Sequence, residues 1–191
     1  TYDKRNSPYQ ATEGYYSSFS QELPIFSDQQ TIINGYSFTK YNELSDDLIV
    51  TLGFYAKAAN SLSNKDVRVS KRLYAPTSRL RGFETGGVGP KDGNDFVGGN
   101  YVTTINASST VPYVLQTAES LDLKLFFDMG NVWGVDYSST IDDSNKIRSS
   151  SGVALEWLTP VGPLSFSYAE AITKAATDKT ESFRFQLGTT F

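Results

Sequence analysis

Alternation of apolar and polar residues over spans of about ten constrains this chain more than any other feature of its sequence. Across residues 47–58 the even positions Leu48, Val50, Leu52, Phe54, Ala56 and Ala58 are apolar, and Thr51, Gly53, Tyr55 and Lys57 fall between them. Successive side chains of a strand point to opposite faces, so this pattern makes one face apolar and the other polar. About ten residues is the length a tilted strand needs to cross a bilayer. The pattern recurs with Leu121, Leu123, Leu125, Phe127 and Met129 set against Asp122, Lys124 and Asp128. It recurs again with Val153, Leu155 and Trp157 against Ala154 and Glu156, and with Leu164, Phe166 and Tyr168 against Ser165, Ser167 and Ala169. The chain closes with Phe183, Phe185, Leu187, Thr189 and Phe191 against Arg184, Gln186, Gly188 and Thr190. Weaker candidates lie at 15–23, 32–41 and 101–111. The expectation is an all-β chain of about eight strands, without an amphipathic helix of convincing length.

The connections alternate in size. Residues 42–46, 111–119 and 159–163 are compact, 134–147 and 173–181 are longer and polar, and 60–98 is much the longest. Short turns on one rim and long loops on the other are the layout of an outer-membrane barrel. A loop approaching forty residues without structure of its own is uncommon in a compact domain and is usually functional. A soluble sheet protein, such as a lipocalin or a sandwich, shows the same alternation, because half-buried soluble strands share the period. Strand length and the aromatic end favour the antiparallel transmembrane β-barrel, since apolar residues at alternate positions back from Phe191 leave no polar tail to fray into water. The 12 Tyr and 12 Phe suit sheets and interfacial girdles. No run approaches the ~18 apolar residues of a membrane helix, and no basic-then-apolar leader opens the chain.

Composition removes most chemistry. Cysteine and histidine are both absent, so there is no thiolate nucleophile, no imidazole base and none of the usual ligands of zinc, copper or iron. A Ser-Lys arrangement is what remains for nucleophilic catalysis. The 17 basic and 21 acidic residues give a net charge of -4, with no basic run to track a phosphate backbone, so nucleic acid is not an expected partner. In the glycine-rich run GGVGPKDG, residues 86–93, Lys91 is followed by Asp92 rather than Ser or Thr, which argues against a phosphate loop. Asp46-Asp47 and Asp142-Asp143 read as solvated charges or weak cation sites. No catalytic residue, metal or cofactor is expected.

Several segments, taken in order, resemble the C-terminal half of the BamA family, the barrel subunits of the bacterial surface antigen superfamily that assemble other proteins into the outer membrane. The run from Tyr2 to Pro8 followed by Gly14 is similar to the segment leading into a mid-barrel strand of that family. Leu80-Arg81-Gly82-Phe83 is similar to the tip of its sixth loop, and Val88-Gly89-Pro90 with Gly98-Gly99-Asn100 to the rest of that loop and the next strand's start. The most specific likenesses are FDMGNVW, from Phe127 to Trp133, and WLTPVGPLSFSYA, from Trp157 to Ala169. The last nine residues resemble the family's C-terminal recognition signal.

The resemblance implies a sixteen-stranded barrel of which this chain supplies the last eight strands, without the first eight strands or the upstream periplasmic POTRA domains. It implies a sixth loop folded back into the lumen, with Arg81 meeting acidic groups on the inner wall. Parity alone sends Asp128 inward. The family's second inward acid aligns with Ser108, so Arg81 is expected to meet one carboxylate and a hydroxyl. Gly82 is expected to turn tightly beside the wall and Phe83 to pack against the lumen. Phe183, Phe185, Leu187, Gly188 and Phe191 are expected to form the closing strand and its signal, at a seam that pairs imperfectly near Gly188. The implied function is folding and insertion of β-barrel clients into the bacterial outer membrane without nucleotide, with unfolded outer-membrane proteins, outer-membrane lipids and POTRA-bound accessory lipoproteins as partners. A polypeptide translocator of the two-partner secretion type, a passive pore and a soluble ligand-binding barrel are the alternatives.

Overall fold

A computed structural model describes residues 1–8, 10–24, 30–45, 48–63, 65–111, 120–135, 137–138, 140–141, 146–160 and 162–188. Its strands are β1 (Tyr2–Asp3), β2 (Gly14–Glu22), β3 (Thr31–Ser45), β4 (Leu48–Ser61), β5 (Lys91–Asp92), β6 (Asp95–Phe96), β7 (Tyr101–Thr110), β8 (Leu121–Trp133), β9 (Arg148–Thr159), β10 (Gly162–Thr173) and β11 (Phe183–Leu187). Nine of them form one sheet in the order β1-β2-β3-β4-β7-β8-β9-β10-β11, antiparallel at every pairing. Eight are long enough to count as strands of a wall, and β1 is a two-residue extension on β2. Each neighbour in space is the next strand in sequence, apart from the β5–β6 hairpin carried inside the long connection. The sheet is an open part of an antiparallel barrel, with β1 and β11 at its edges.

The alternation read from sequence sets the two faces. Leu52, Ile105, Leu125, Phe127, Val153, Trp157, Tyr168, Phe183 and Phe185 point outward and remain exposed, whereas Val102, Thr104, Phe126, Asp128, Ser150, Ala154 and Ala169 point inward and are buried. Register reinforces this, since Ile105 lies opposite both Phe54 and Met129 and extends one apolar stripe across three strands. Aromatics mark both rims. Tyr101 packs on Trp133 at 5.8 Å beside the long loops, while Trp157 sits opposite Leu121 beside the short turns. From Leu121 to Trp133 a strand rises about 40 Å, which at a tilt of ~40° covers about 30 Å, the depth of a bilayer's hydrocarbon core. Among the described residues no helix is long and apolar enough to cross a membrane.

The long connection has structure of its own, contrary to the sequence reading. It begins after Ser61 and ends before Tyr101, and it carries a turn of 3₁₀ helix at Val69–Lys71, the β5–β6 hairpin and an isolated bridge from Leu73 to Gly99. It lies against the inner face. Val67, Leu73, Leu80, Phe83 and Val88 from the loop pack with Ile33, Ala59, Val102 and Val132 from the wall in the largest buried apolar cluster. Strands also run further than the alternation suggested towards this rim, β8 to Trp133 and β4 to Ser61, because their inner faces there are covered by the loop. At the other end β11 stops at Leu187. The expected contributions of Phe191, Asp46-Asp47 and Asp142-Asp143 lie outside the described residues.

Candidate functional site

The tip of the long loop is held on the inner wall by a paired charge. Asp128 is placed inward by the parity of β8 and is fully buried. Arg81 donates to it through Nε to Oδ2 at 2.7 Å and through Nη2 to Oδ1 at 2.8 Å. The Arg81 backbone amide adds a third bond to Oδ2 at 3.1 Å. This is the two-toothed arrangement in which a planar guanidinium matches a carboxylate. A buried ion pair is costly to desolvate, and it is tolerated where extra hydrogen bonds complete both partners.

Those extra bonds come from β7 and β9. Asn106 Nδ2 donates to Asp128 Oδ1 at 2.8 Å and to the Arg79 carbonyl at 2.7 Å, so one side chain joins the wall carboxylate to the loop backbone. Ser150 Oγ donates to the Arg81 carbonyl at 2.5 Å. Ser108 lies two residues from Asn106 on the same inward face and lines the same cavity. It makes no hydrogen bond to Arg81, and the polar contact expected from Ser108 is made instead by Asn106, to the carboxylate rather than the arginine.

A flat apolar platform completes the grip. The Arg81 guanidinium carbon stands 3.4 Å from the centre of the Phe126 ring, close enough for face-on stacking. Phe126 packs with Ala154 and Ala169, small residues on the next two strands. Gly152 is its register partner on β9, and a Cβ at Gly152 would lie 2.8 Å from Phe126 Cζ and 2.0 Å from the Tyr168 carbonyl oxygen. The ring occupies the space a side chain would need. Phe126 interrupts the polar series Asp122, Lys124, Asp128 on the inner face, and that break in pattern is the one sequence signal for it.

Gly82 follows with φ of +87°, a conformation that favours glycine. An added Cβ there would sit 3.1 Å from Ser150 Cβ and 3.3 Å from Ala169 Cβ. The turn therefore presses the backbone onto β9 and β10 and directs Phe83 into the apolar cluster, where it is 1% exposed. Beyond it the loop meets residues 179–181, after β10. Glu84 N donates to the Lys179 carbonyl, Lys179 N to the Gly87 carbonyl and Glu181 N to the Gly82 carbonyl.

On the short-turn side of the tip the lumen is polar and open, with a cavity of about 230 Å³ whose lining includes Arg5, Arg79, Lys124, Glu156, Ser165 and Gln186. Lys124 Nζ bonds Glu156 Oε2 at 2.6 Å across β8 and β9. Among the described residues no group of three or more acidic, histidine or cysteine side chains is placed to hold a metal ion. The arrangement suits positioning: a fixed loop tip beside a charged recess.

Among the described residues β11 pairs with β10 from Leu164–Leu187 to Tyr168–Phe183, five residues against the eleven paired between β10 and β9. Phe183, Phe185 and Leu187 face outward, and Gly188 leaves the strand with φ of +109° while its amide still reaches the Pro163 carbonyl at 2.9 Å.

Known proteins share this architecture. The crystal structure of BamA from Haemophilus ducreyi lacking POTRA domains 1-3 superposes with a TM-score of 0.86 at 28% identity, over 96% of this chain and 40% of that one. The outer membrane protein assembly factor BamA of Neisseria meningitidis serogroup B is 28% identical over 99% of this chain, and that of Neorickettsia risticii is 31% identical over 76%. The chain spans 28% and 20% of the lengths of these two relatives. The Omp85 superfamily domain matches residues 1–191, every position from Thr1 to Phe191, and the chain belongs to the Omp85 superfamily.

Proposed function

We propose that this chain is the C-terminal part of a longer outer-membrane β-barrel of roughly sixteen strands, preceded in its parent by the first strands and by POTRA domains. The parent folds and inserts other β-barrel proteins into the bacterial outer membrane, in keeping with the assembly role that the names of its relatives give to them. Its partners are unfolded outer-membrane proteins, the lipids around the barrel and accessory lipoproteins bound through the POTRA domains. No nucleotide and no bond chemistry is required.

The observation that carries this reading is the loop tip held inside the barrel by Arg81 on Asp128. A lumen obstructed at one end by its own loop suits a device that works at its wall rather than through its bore. The wall offers a strand with little pairing. An unsatisfied strand edge in hydrocarbon costs several kcal/mol, and β11, joined to β10 through five residues among those described, is the strand most easily separated to expose one. A client strand satisfies such an edge by adding to the sheet. The role of Arg81, Gly82 and Phe83 is to hold the loop, and that of Phe183, Phe185, Leu187 and Gly188 is to form the seam.

The test uses the full-length parent in liposomes and follows the rate at which an unfolded client barrel becomes protease-resistant. Wild-type protein should accelerate this, and Arg81→Ala should lose the acceleration while its strands remain formed. No acceleration by folded wild-type protein moves the reading to a translocator, or to a pore if steady ionic conductance is found.

A further inference from the structure

A second ion pair, for which the sequence carries no periodic signal, is centred on β9, the strand beside Asp128. Arg148 opens β9 and Asp178 belongs to residues 174–182 between β10 and β11; both side chains are wholly buried. Arg148 Nε donates to Asp178 Oδ2 and Nη2 to Oδ1, each at 2.9 Å, and Nη1 reaches Asn131 Oδ1 at 2.6 Å and the Lys146 carbonyl at 2.8 Å. Asp178 Oδ2 also accepts the Ala175 amide at 2.6 Å, which closes the turn that carries it. Buried charges this fully satisfied define one geometry, because any shift leaves a charge without its partners.

Immediately after Asp178 the chain meets the sixth-loop tip. Lys179, Thr180 and Glu181 form a short antiparallel ladder with Gly82–Gly87, through the Phe83–Thr180 bridge and three backbone hydrogen bonds. Then β11 begins, and its inward Arg184 donates from Nη2 to the Phe83 carbonyl at 2.9 Å while also bonding Glu181. On β9, Arg148 and Ser150 share the inner face. One strand thus anchors residues 174–182 through Arg148 and the tip itself through Ser150.

We infer that residues 174–182 are a strap that positions the sixth-loop tip and ties it to the closing strand, with Arg148 and Asp178 as the positioning pair and Arg184 as the tie. The tip is anchored from two sides: by the wall, through Asp128, Asn106 and Ser150, and by the strap. Displacing β11 from β10 pulls on the Phe83 carbonyl through Arg184, so the closing strand and the loop tip move together. This goes beyond the assembly reading, because it concerns the position of the tip in the folded barrel whatever that barrel handles.

The chain contains no cysteine, so an introduced pair reports position within it cleanly. Glu84 and Lys179 are exposed and adjacent across the ladder, the Glu84 amide donating to the Lys179 carbonyl at 3.0 Å. In the full-length parent, with any cysteines elsewhere replaced, Glu84→Cys/Lys179→Cys should crosslink readily under a mild oxidant. Adding Asp178→Asn should lower the crosslink yield of folded protein by about tenfold, since it leaves the buried Arg148 charge uncompensated. Arg184→Gln, which does not enter the buried pair, should lower it less and serves if Asp178→Asn does not fold. Oxidation should also slow amide exchange along Phe183–Leu187. Unchanged crosslinking in both variants overturns the strap, and unchanged exchange in β11 on oxidation overturns the tie. Client folding does not enter either measurement, so failure of the assembly reading leaves a distinct signature.

Discussion

The two halves of the barrel interior are built on different principles. Towards the long loops the lumen is dry: Leu80, Phe83 and Val88 of the loop meet Val102 and Val132 of the wall, and none is more than 3% exposed. Towards the short turns it is a polar recess in which Lys124 pairs with Glu156 and Arg5, Tyr16 and Gln186 line open space. Arg81 and Asp128 stand at the boundary. The apolar half gives the loop its adhesion, which is strong but indifferent to register, and the ion pair selects one position along the wall, because a two-toothed hydrogen bond has one geometry.

That division of labour can be broken at three levels. Asp128→Ala has the largest expected effect, about 3–5 kcal/mol, since it strands Arg81 against Phe126 without its counter-charge. Limited proteolysis of the folded parent should show cleavage near residues 79–87 while the strands persist. Protection equal to wild type would mean that apolar packing alone fixes the tip. Leu80→Ala should cost about 2–4 kcal/mol by leaving a cavity in the dry half, seen as a lower urea midpoint in detergent, with Arg81 still seated and the tip still protected. Ser108→Ala should change either measurement by no more than about 0.5 kcal/mol, as expected for a side chain facing the recess without a hydrogen bond to the anchor. A loss comparable to Leu80→Ala would show that the recess contributes to holding the loop after all.

The wall was legible from periodicity, whereas the seat of the loop tip at Arg81, Gly82 and Phe83 was legible only through its resemblance to a known loop, and the loop's apolar core was not legible at all. Period two depends only on which side of a strand is wet, so Leu125, Phe127 and Asp128 could be assigned to faces without knowing their neighbours. The loop's core follows no period: Val67, Leu73, Leu80 and Val88 are separated by polar residues and turns, and they become one cluster only when the chain folds back on the sheet. Parity also has limits. It places Ser108 and Asn106 on one face but cannot say which of them sits at the height of Asp128, and register puts Asn106 directly opposite it. The Arg148–Asp178 pair escaped for a related reason, since Arg148 opens a strand and Asp178 lies in a connection, where alternation gives no signal.

The apolar cluster of the loop tip draws on earlier residues such as Ile33 and Ala59, but the side chains that hydrogen-bond residues 81–83 come later in the chain. Asp128 follows Arg81 by 47 residues, Ser150 by 69, and Arg184 follows Phe83 by 101. Contacts of such long separation are slow to form, because the intervening chain must be ordered before they contribute. The last of these contacts, from Arg184 to the Phe83 carbonyl, cannot form until β11 is in place, so a fully anchored tip is a record that β11 has joined the wall.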